Sequence, residues 1–163
     1  MKLSIAALVL FAVAVAGTSG QIKYGVTVKA EKGVDFSKFK TYSWSNGQPS
    51  PNKTVDAQIV AAVDRELKGV GLTKPASGPA DVVVMYYSLR RTDDDVKAKP
   101  DASGARPQFA VGTLAVALFD PSKKKQLLHM RLDKPIDTDL AQSEAIIDKA
   151  VAEMFAKYPT RTK

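Results

Sequence analysis

Four groups of residues in this sequence carry chemistry that a bare fold would not need. Asp93-Asp94-Asp95 offers three consecutive carboxylates, whose oxygens suit calcium and other hard cations. His129 is the single histidine, the side chain whose ordinary pKa lies nearest neutrality. Tyr86 and Tyr87, followed closely by Arg90 and Arg91, bring phenols and guanidinium groups into one short stretch. Lys123-Lys124-Lys125 gathers positive charge that an anionic surface would attract.

Most of this chemistry has a plainer reading. No glycine-turned ligand loop surrounds the three aspartates, no glutamate stands at the EF-hand spacing, and Arg90 and Arg91 are closer charge partners. Internal ion pairs are therefore expected there, and no metal. A catalytic triad needs a nucleophile, a histidine and an orienting acid, and a catalytic zinc usually needs two or three histidines. One histidine and no cysteine exclude most of these arrangements and every thiolate-built metal site. There is no Gly-rich phosphate loop and no G-x-S-x-G elbow, so no cofactor is expected. Trp44 and the tyrosines at 42, 86 and 87 are not interleaved with basic residues as a base-stacking platform, and nucleic acid is not an expected partner. The remaining enzymatic route is a hydrolase built on carboxylates alone, which needs two acids converging in one pocket. The residues point first to a non-enzymatic protein. Its ligand-binding candidates are Tyr86, Tyr87, Arg90, Arg91 and His129.

The elements that must position these residues can be read from periodicity. Asp81–Leu89 is rich in β-branched and aromatic residues, and its apolar run predicts a central strand covered on both faces. Ile22–Ala30 alternates, with Tyr24, Val26, Val28 and Ala30 on one side, as a half-buried strand does. The phenylalanines at 36 and 39 tuck the next loop onto the core, and Thr41–Ser45 reads as a short strand ended by Asn46-Gly47. Val55–Val70 carries apolar residues at helical spacing, with Thr54 or Asp56 to cap it and an Asp64/Lys68 pair. Residues 90–108 hold almost nothing that would enter a core and read as a long mobile loop. Phe109–Phe119 and Gln126–Asp133 form a hairpin, Leu128, Met130 and Leu132 facing in, Leu127, His129 and Arg131 facing out. A last helix runs from about Asp139 to Lys157, capped by Asp137 or Thr138, with a Glu153/Lys157 pair and Pro159 at its end. The order β-β-α-β-β-β-α predicts an α+β two-layer sandwich. Its sheet is mostly antiparallel with one β-α-β crossover, and both helices pack on one face.

Residues 1–20 are of another kind. A positive start at Lys2, an apolar stretch from Leu3 to Val15 and small residues at 14–20 define a secretory signal peptide, cleaved after Ala16 or Gly20. The apolar stretch is shorter than the roughly 20 residues of a bilayer span. The rest, 21–163, is expected to be a single exported domain without a transmembrane segment. The net charge of +7, of which only Lys2 lies in the signal segment, keeps such a domain soluble and suits anionic envelope partners.

Several pieces together resemble a family of bacterial envelope proteins, the domain of unknown function 4136. They are Y-G-V-T-V-K at 24–29, D-F-S-K-F-K-T-Y-S-W at 35–44, D-A-Q-I at 56–59 with G-V-G-L at 69–72, P-A-D-V-V-V-M-Y at 79–86, G-T-L-A-V-A-L-F-D at 112–120, K-K-K-Q-L-L at 123–128 and A-V-A-E-M-F-A-K-Y-P at 150–159. Family members often carry a lipoprotein cysteine after the signal peptide. This chain has none, which implies a soluble periplasmic, or alternatively secreted, form. His129 stands where relatives tend to place a tryptophan. The resemblance implies compartment and fold, and supplies no catalytic residue. The reading is an exported envelope domain that binds or stabilises another component, an envelope protein or an anionic envelope constituent. The alternatives are a small-ligand or anionic-polymer binder, with 90–108 as a lid over the tyrosine strand, or a carboxylate hydrolase.

Overall fold

In the computed structural model, residues 24–136 and 143–161 are described. The signal-peptide segment and the expected Asp137/Thr138 cap lie outside them. The elements are β1 (Gly25–Ala30), β2 (Tyr42–Trp44), α1 (Lys53–Gly69), β3 (Val82–Asp94), β4 (Gln108–Asp120), β5 (Lys125–Pro135) and α2 (Ser143–Phe155). The strands form one open sheet ordered β1-β5-β4-β3-β2. β2 and β3 are parallel, joined through α1, and the other three pairings are antiparallel. This is the expected α+β sandwich: residues from both helices join one face of the sheet in a single core.

Period-2 alternation divides the strands between that core face and an uncovered face. Val82, Val84 and Tyr86 of β3, Val116 and Leu118 of β4, and Leu128, Met130 and Leu132 of β5 are buried against Ile59, Val63 and Leu67 of α1 and Val151, Met154 and Phe155 of α2. At about 25 cal/mol per Å² of apolar surface, such fully buried Val, Leu and Met side chains each contribute about 1.5–3 kcal/mol. Polar ties add to the packing. Arg65 of α1 pairs with Asp148 of α2 at 2.6 Å, and Lys157 donates to the Val26 carbonyl of β1 at 3.0 Å.

Four expectations change. The tyrosine strand is not central; β4 is, and β3 lies between it and the short edge strand β2. Nor is β3 covered on both faces, because Val83, Met85 and Tyr87 face away from the helices and are half-buried. Its apolar run arises because valine and methionine are tolerated on the uncovered face too. The loop expected at 90–108 is largely a hairpin arm: Arg90–Asp94 pairs residue for residue with 108–112 of β4, and only 95–107 connects the strands. An antiparallel pair needs backbone partners, not core side chains, so polar composition did not end the strand. Leu127, expected outward, is buried, because a register shift between Leu118 and Phe119 inserts an extra residue in β5. Two side-chain pairings also differ. Asp64 pairs with Lys74 rather than Lys68, and Glu153 approaches Lys134 rather than Lys157.

Candidate functional site

The five sequence candidates do not form one site. Neighbours along a strand point to opposite faces, so Tyr86 and Arg90 lie on the helix-covered face while Tyr87, Arg91 and His129 lie on the uncovered one.

On the uncovered face, Arg91 is committed to other protein groups. Its Nε donates to Asp93 at 2.8 Å, and one terminal nitrogen donates to Thr113 at 2.9 Å and Asp133 at 2.8 Å. Arg131 reaches both oxygens of Asp133, at 2.7 and 2.9 Å, and the Thr113 hydroxyl donates to the same carboxylate at 2.7 Å. Tyr24 donates to Asp93 at 2.9 Å. These contacts make a ladder across the sheet. The Arg131 hydrogen bonds, working against burial and helped by Thr113 and Arg91, hold the Asp133 carboxyl far below the usual carboxylate range. His129 lies beside Lys29 and Ala117; burial first, then the charges of Lys29 and Arg131, lowers its pKa and leaves it neutral at pH 7. Tyr87 reaches only the sulfur of Met85, at 3.6 Å.

The three aspartates serve different partners. Asp93 faces Arg91, Asp94 accepts from Gln108 at 2.9 Å, and Asp95 caps a turn through the Lys97 and Ala98 amides. Among the described residues no group of three His, Asp or Glu side chains is placed to hold a metal. The lysine cluster is divided as well: Lys123 pairs with Asp120 at 3.6 Å and Lys125 with Glu31 at 2.9 Å.

The helix-covered face holds a cleft. Its volume is ≈ 710 Å³, and it lies between the sheet and the starts of α1 and α2. Such a volume matches one small molecule. The apolar lining includes Val55 and Ile59 of α1, Leu114 and Leu132 of the sheet and Ile147 of α2. Its wall beyond β2 is made by residues 46–50, which return along β3: the Gln48 amide donates to the Tyr86 carbonyl at 3.0 Å, and the Ser88 amide to the Gln48 carbonyl at 2.9 Å. Gly47 permits this approach, because a Cβ there would lie 2.1 Å from the Tyr86 carbonyl oxygen. Tyr86 supports the wall from beneath. Its hydroxyl donates to Asp56 and accepts from the Ser50 amide at 3.1 Å, and burial pushes its pKa up to about 12. Asn52 caps α1 through the Thr54 and Val55 amides, fixing the helix start at the cleft.

The polar edge of the cleft is basic. Arg90, Gly112 and Lys134 are cross-strand partners in one row of β3, β4 and β5, so two cations flank a glycine. All three line the cleft, together with serines and amides, and no carboxylate does so among the described residues. Arg90 has no ion-pair or hydrogen-bond partner among the described residues, and Lys134 meets Glu153 only at 3.9 Å. Sequence reasoning named Arg90 but missed Gly112, Lys134 and the wall. The available signal was Gly112, a glycine inside a predominantly apolar strand, which marks a place needing room.

The half-buried carboxylates elsewhere are not poised as proton donors. Asp64 accepts from Tyr42 at 2.6 Å, Trp44 at 2.8 Å and Lys74 at 2.7 Å. Burial opposes its charge, yet the bonds from Lys74, Tyr42 and Trp44 outweigh that and lower its pKa.

The comparisons with known proteins agree with this architecture. None of the curated proteins matches the sequence. Among solved structures, the chain is similar in fold to a PDZ domain protein from Parabacteroides distasonis, with a TM-score of 0.59 and 17% identity over 83% of this chain. It spans 35% of that protein's length. It is also similar to PelC, a dodecamer from Paraburkholderia phytofirmans, with a TM-score of 0.51 and 13% identity over 80% of this chain and 95% of that one. Among the described residues no helix is long and apolar enough to cross a membrane. The family model named Domain of unknown function (DUF4136) matches residues 26–160, and the chain belongs to that family.

Proposed function

We propose that the protein is an exported, non-enzymatic binding module of the cell envelope, and that its ligand occupies the cleft between the sheet and the two helix starts. The observation that carries this reading is the cleft itself: ≈ 710 Å³, mostly apolar, with convergent polar groups along one edge. The lowered pKa values of Asp64 and Asp133 argue against a carboxylate acid–base pair, and neither residue lines the cleft. The amino-terminal signal pattern supports export, with the soluble periplasm as the destination.

Native mass spectrometry after incubation with an envelope extract tests the reading. A bound species of small-molecule mass is expected at one copy per chain, and it is lost when Ser88→Trp fills the cleft. Absence of any such species, or its persistence in Ser88→Trp, overturns it. Fractionation that leaves the protein in the cytoplasm removes the envelope assignment.

A second reading is an assembly module. The uncovered sheet face carries Met85, Tyr87, Lys29 and His129 with no helix over them among the described residues, and the PelC structure of similar fold is a dodecamer. Sedimentation of the purified protein as a monomer at tens of micromolar would end the self-assembly form of this reading.

A further inference from the structure

We infer that the ligand is a single-chain amphiphile with an anionic oxygen head, seated with the head between Arg90 and Lys134 and the tail along Leu114, Leu132, Ile59 and Ile147. The inference rests on the binding-module reading and adds the ligand class.

Three features of the cleft select this chemistry. The first is charge. Arg90 and Lys134 lie on one row of the sheet, separated by Gly112. Strands are about 4.8 Å apart, so the two Cα atoms are roughly 10 Å from one another. Like charges repel, and among the described residues no carboxylate in the lining separates them. Arg90 is exposed and unpartnered among the described residues, while Lys134 has only the long contact with Glu153. A carboxylate or phosphate oxygen accepts from a guanidinium through two donors and from an ammonium through one.

The second is the floor. Gly112 carries no side chain, and the branch of Ile136 lies over it, 2.9 Å from where its Cβ would be. The head therefore meets the two cationic side chains beside an aliphatic surface, and no described carboxylate lines it. The third is the sequence of environments. From the Arg90 row inward, the lining turns from charged and hydroxylic to aliphatic, ending on the α1 and α2 side chains of the core. A head-to-tail polarity gradient fits an amphiphile. A sugar would leave the aliphatic end unsatisfied, and a wholly apolar molecule would leave the cations so.

The test uses the purified protein with defined probes: palmitate, palmitoyl-lysophosphatidate and the neutral monopalmitoylglycerol, each read by displacement of a fluorescent fatty acid. Palmitate or lysophosphatidate is expected to bind at least about tenfold more tightly than the neutral lipid, since one charge-assisted contact carries about that much affinity. Which of the two anions binds identifies the head as carboxylate or phosphate. Arg90→Gln with Lys134→Gln is expected to erase the preference for the anion while leaving the neutral lipid within about twofold. Because both residues are at the surface, circular dichroism of that variant is expected to match the parent. Raising salt is expected to weaken the anion and not the neutral lipid. Equal binding of charged and neutral lipids overturns the inference and leaves the binding module standing. An anion preference that survives the double variant also overturns it. No lipid binding at all, with a different small molecule retained in the cleft, removes the inference alone. Binding that Ser88→Trp fails to block removes both readings.

Discussion

The two faces of the sheet use the same three strands and nearly the same charges to opposite ends. On the uncovered face, Arg91 and Arg131 flank Asp133, and each of these three charges is answered by another within hydrogen-bonding distance. On the helix-covered face, one residue along β3 from Arg91, Arg90 and Lys134 flank Gly112, no described carboxylate lines the cleft beside them, and Lys134 has only the 3.9 Å contact with Glu153. Paired cations tie strands together and leave no capacity for a ligand. Unpaired cations beside an apolar space cost a little stability and hold binding capacity in reserve. The difference lies in what stands within reach of the cations on the middle strands: Thr113 and Asp133 on the uncovered face, Gly112 on the other.

The largest effect expected from breaking this contrast is at the cleft wall. Gly47→Ala places a methyl group against the Tyr86 carbonyl, and the two hydrogen bonds joining 46–50 to β3 cannot both survive. The substitution is expected to cost about 3 kcal/mol in urea unfolding and to abolish cleft binding, while the Arg91–Asp133 ladder stays intact. Next is the ladder itself. Asp133→Ala strands two arginines beside a buried threonine. It is expected to cost about 2 kcal/mol, less than a fully buried pair because Arg91 and Arg131 are 30% and 44% exposed. Cleft binding is expected to be unchanged, which separates the faces in the opposite sense.

Acid sharpens the same comparison. Asp64 and Asp133 have folded pKa values below their unfolded ones, near 3.9. Their contribution is therefore complete above pH 4 and is lost as pH falls through the lower folded values. The midpoint of urea unfolding is expected to slip slightly between pH 7 and 5, as the unfolded chain protonates His129, and to drop more steeply below about pH 4, that lower step being shallower in Asp133→Ala. The phenols mirror this at high pH. Tyr86, with its pKa raised to about 12, contributes stability that is full below pH 10 and fades as pH climbs toward the folded value.

How much of this was legible in the sequence follows from what periodicity can see. The helices around Ile59–Leu67 and Ala150–Phe155, the alternating β1 and β5, and the two-layer arrangement were all legible, because burial imposes a period. The five candidate residues were legible as types but not as a group, although the alternation of Tyr86 with Tyr87 and Arg90 with Arg91 already forbade a shared face. The extent of β3 was not legible. Arg91 and Asp93 look like loop residues until Arg91 reaches across the sheet to Thr113 and Asp133, and that contact depends on register between segments distant in sequence. The cleft was illegible for the same reason. It exists because Arg90, Gly112 and Lys134 fall in one row, and no local window contains all three.

Smaller effects separate the core from both faces. Asn52→Ala removes the cap at the cleft end of α1 and is expected to cost about 1 kcal/mol. Tyr158 is fully buried, stacked on Phe155 and edge-on to Phe36, and its hydroxyl finds no partner among the described residues. Deleting that oxygen keeps the rings and removes an unsatisfied group, so Tyr158→Phe is expected to raise stability by up to about 1 kcal/mol.

The smallest effect is the most direct test of the contrast. If Arg90 and Lys134 contribute to folding as Arg91 and Arg131 do, neutralising both is destabilising. If they lack close partners, their repulsion is about 0.4 kcal/mol at the dielectric constant of water for charges as far apart as their Cα atoms, roughly 10 Å, and removing it stabilises the fold slightly. Arg90→Gln with Lys134→Gln is therefore expected to raise the melting temperature slightly at low ionic strength, and the gain is expected to vanish near 1 M salt, where screening reaches about 3 Å. The corresponding double neutralisation of Arg91 and Arg131 is expected to lower it, because Asp133 loses the three hydrogen bonds the two arginines give it or the charge that strengthens them. Opposite signs for two pairs of cations on the same strands would mark one pair as structural and the other as held ready for an anion.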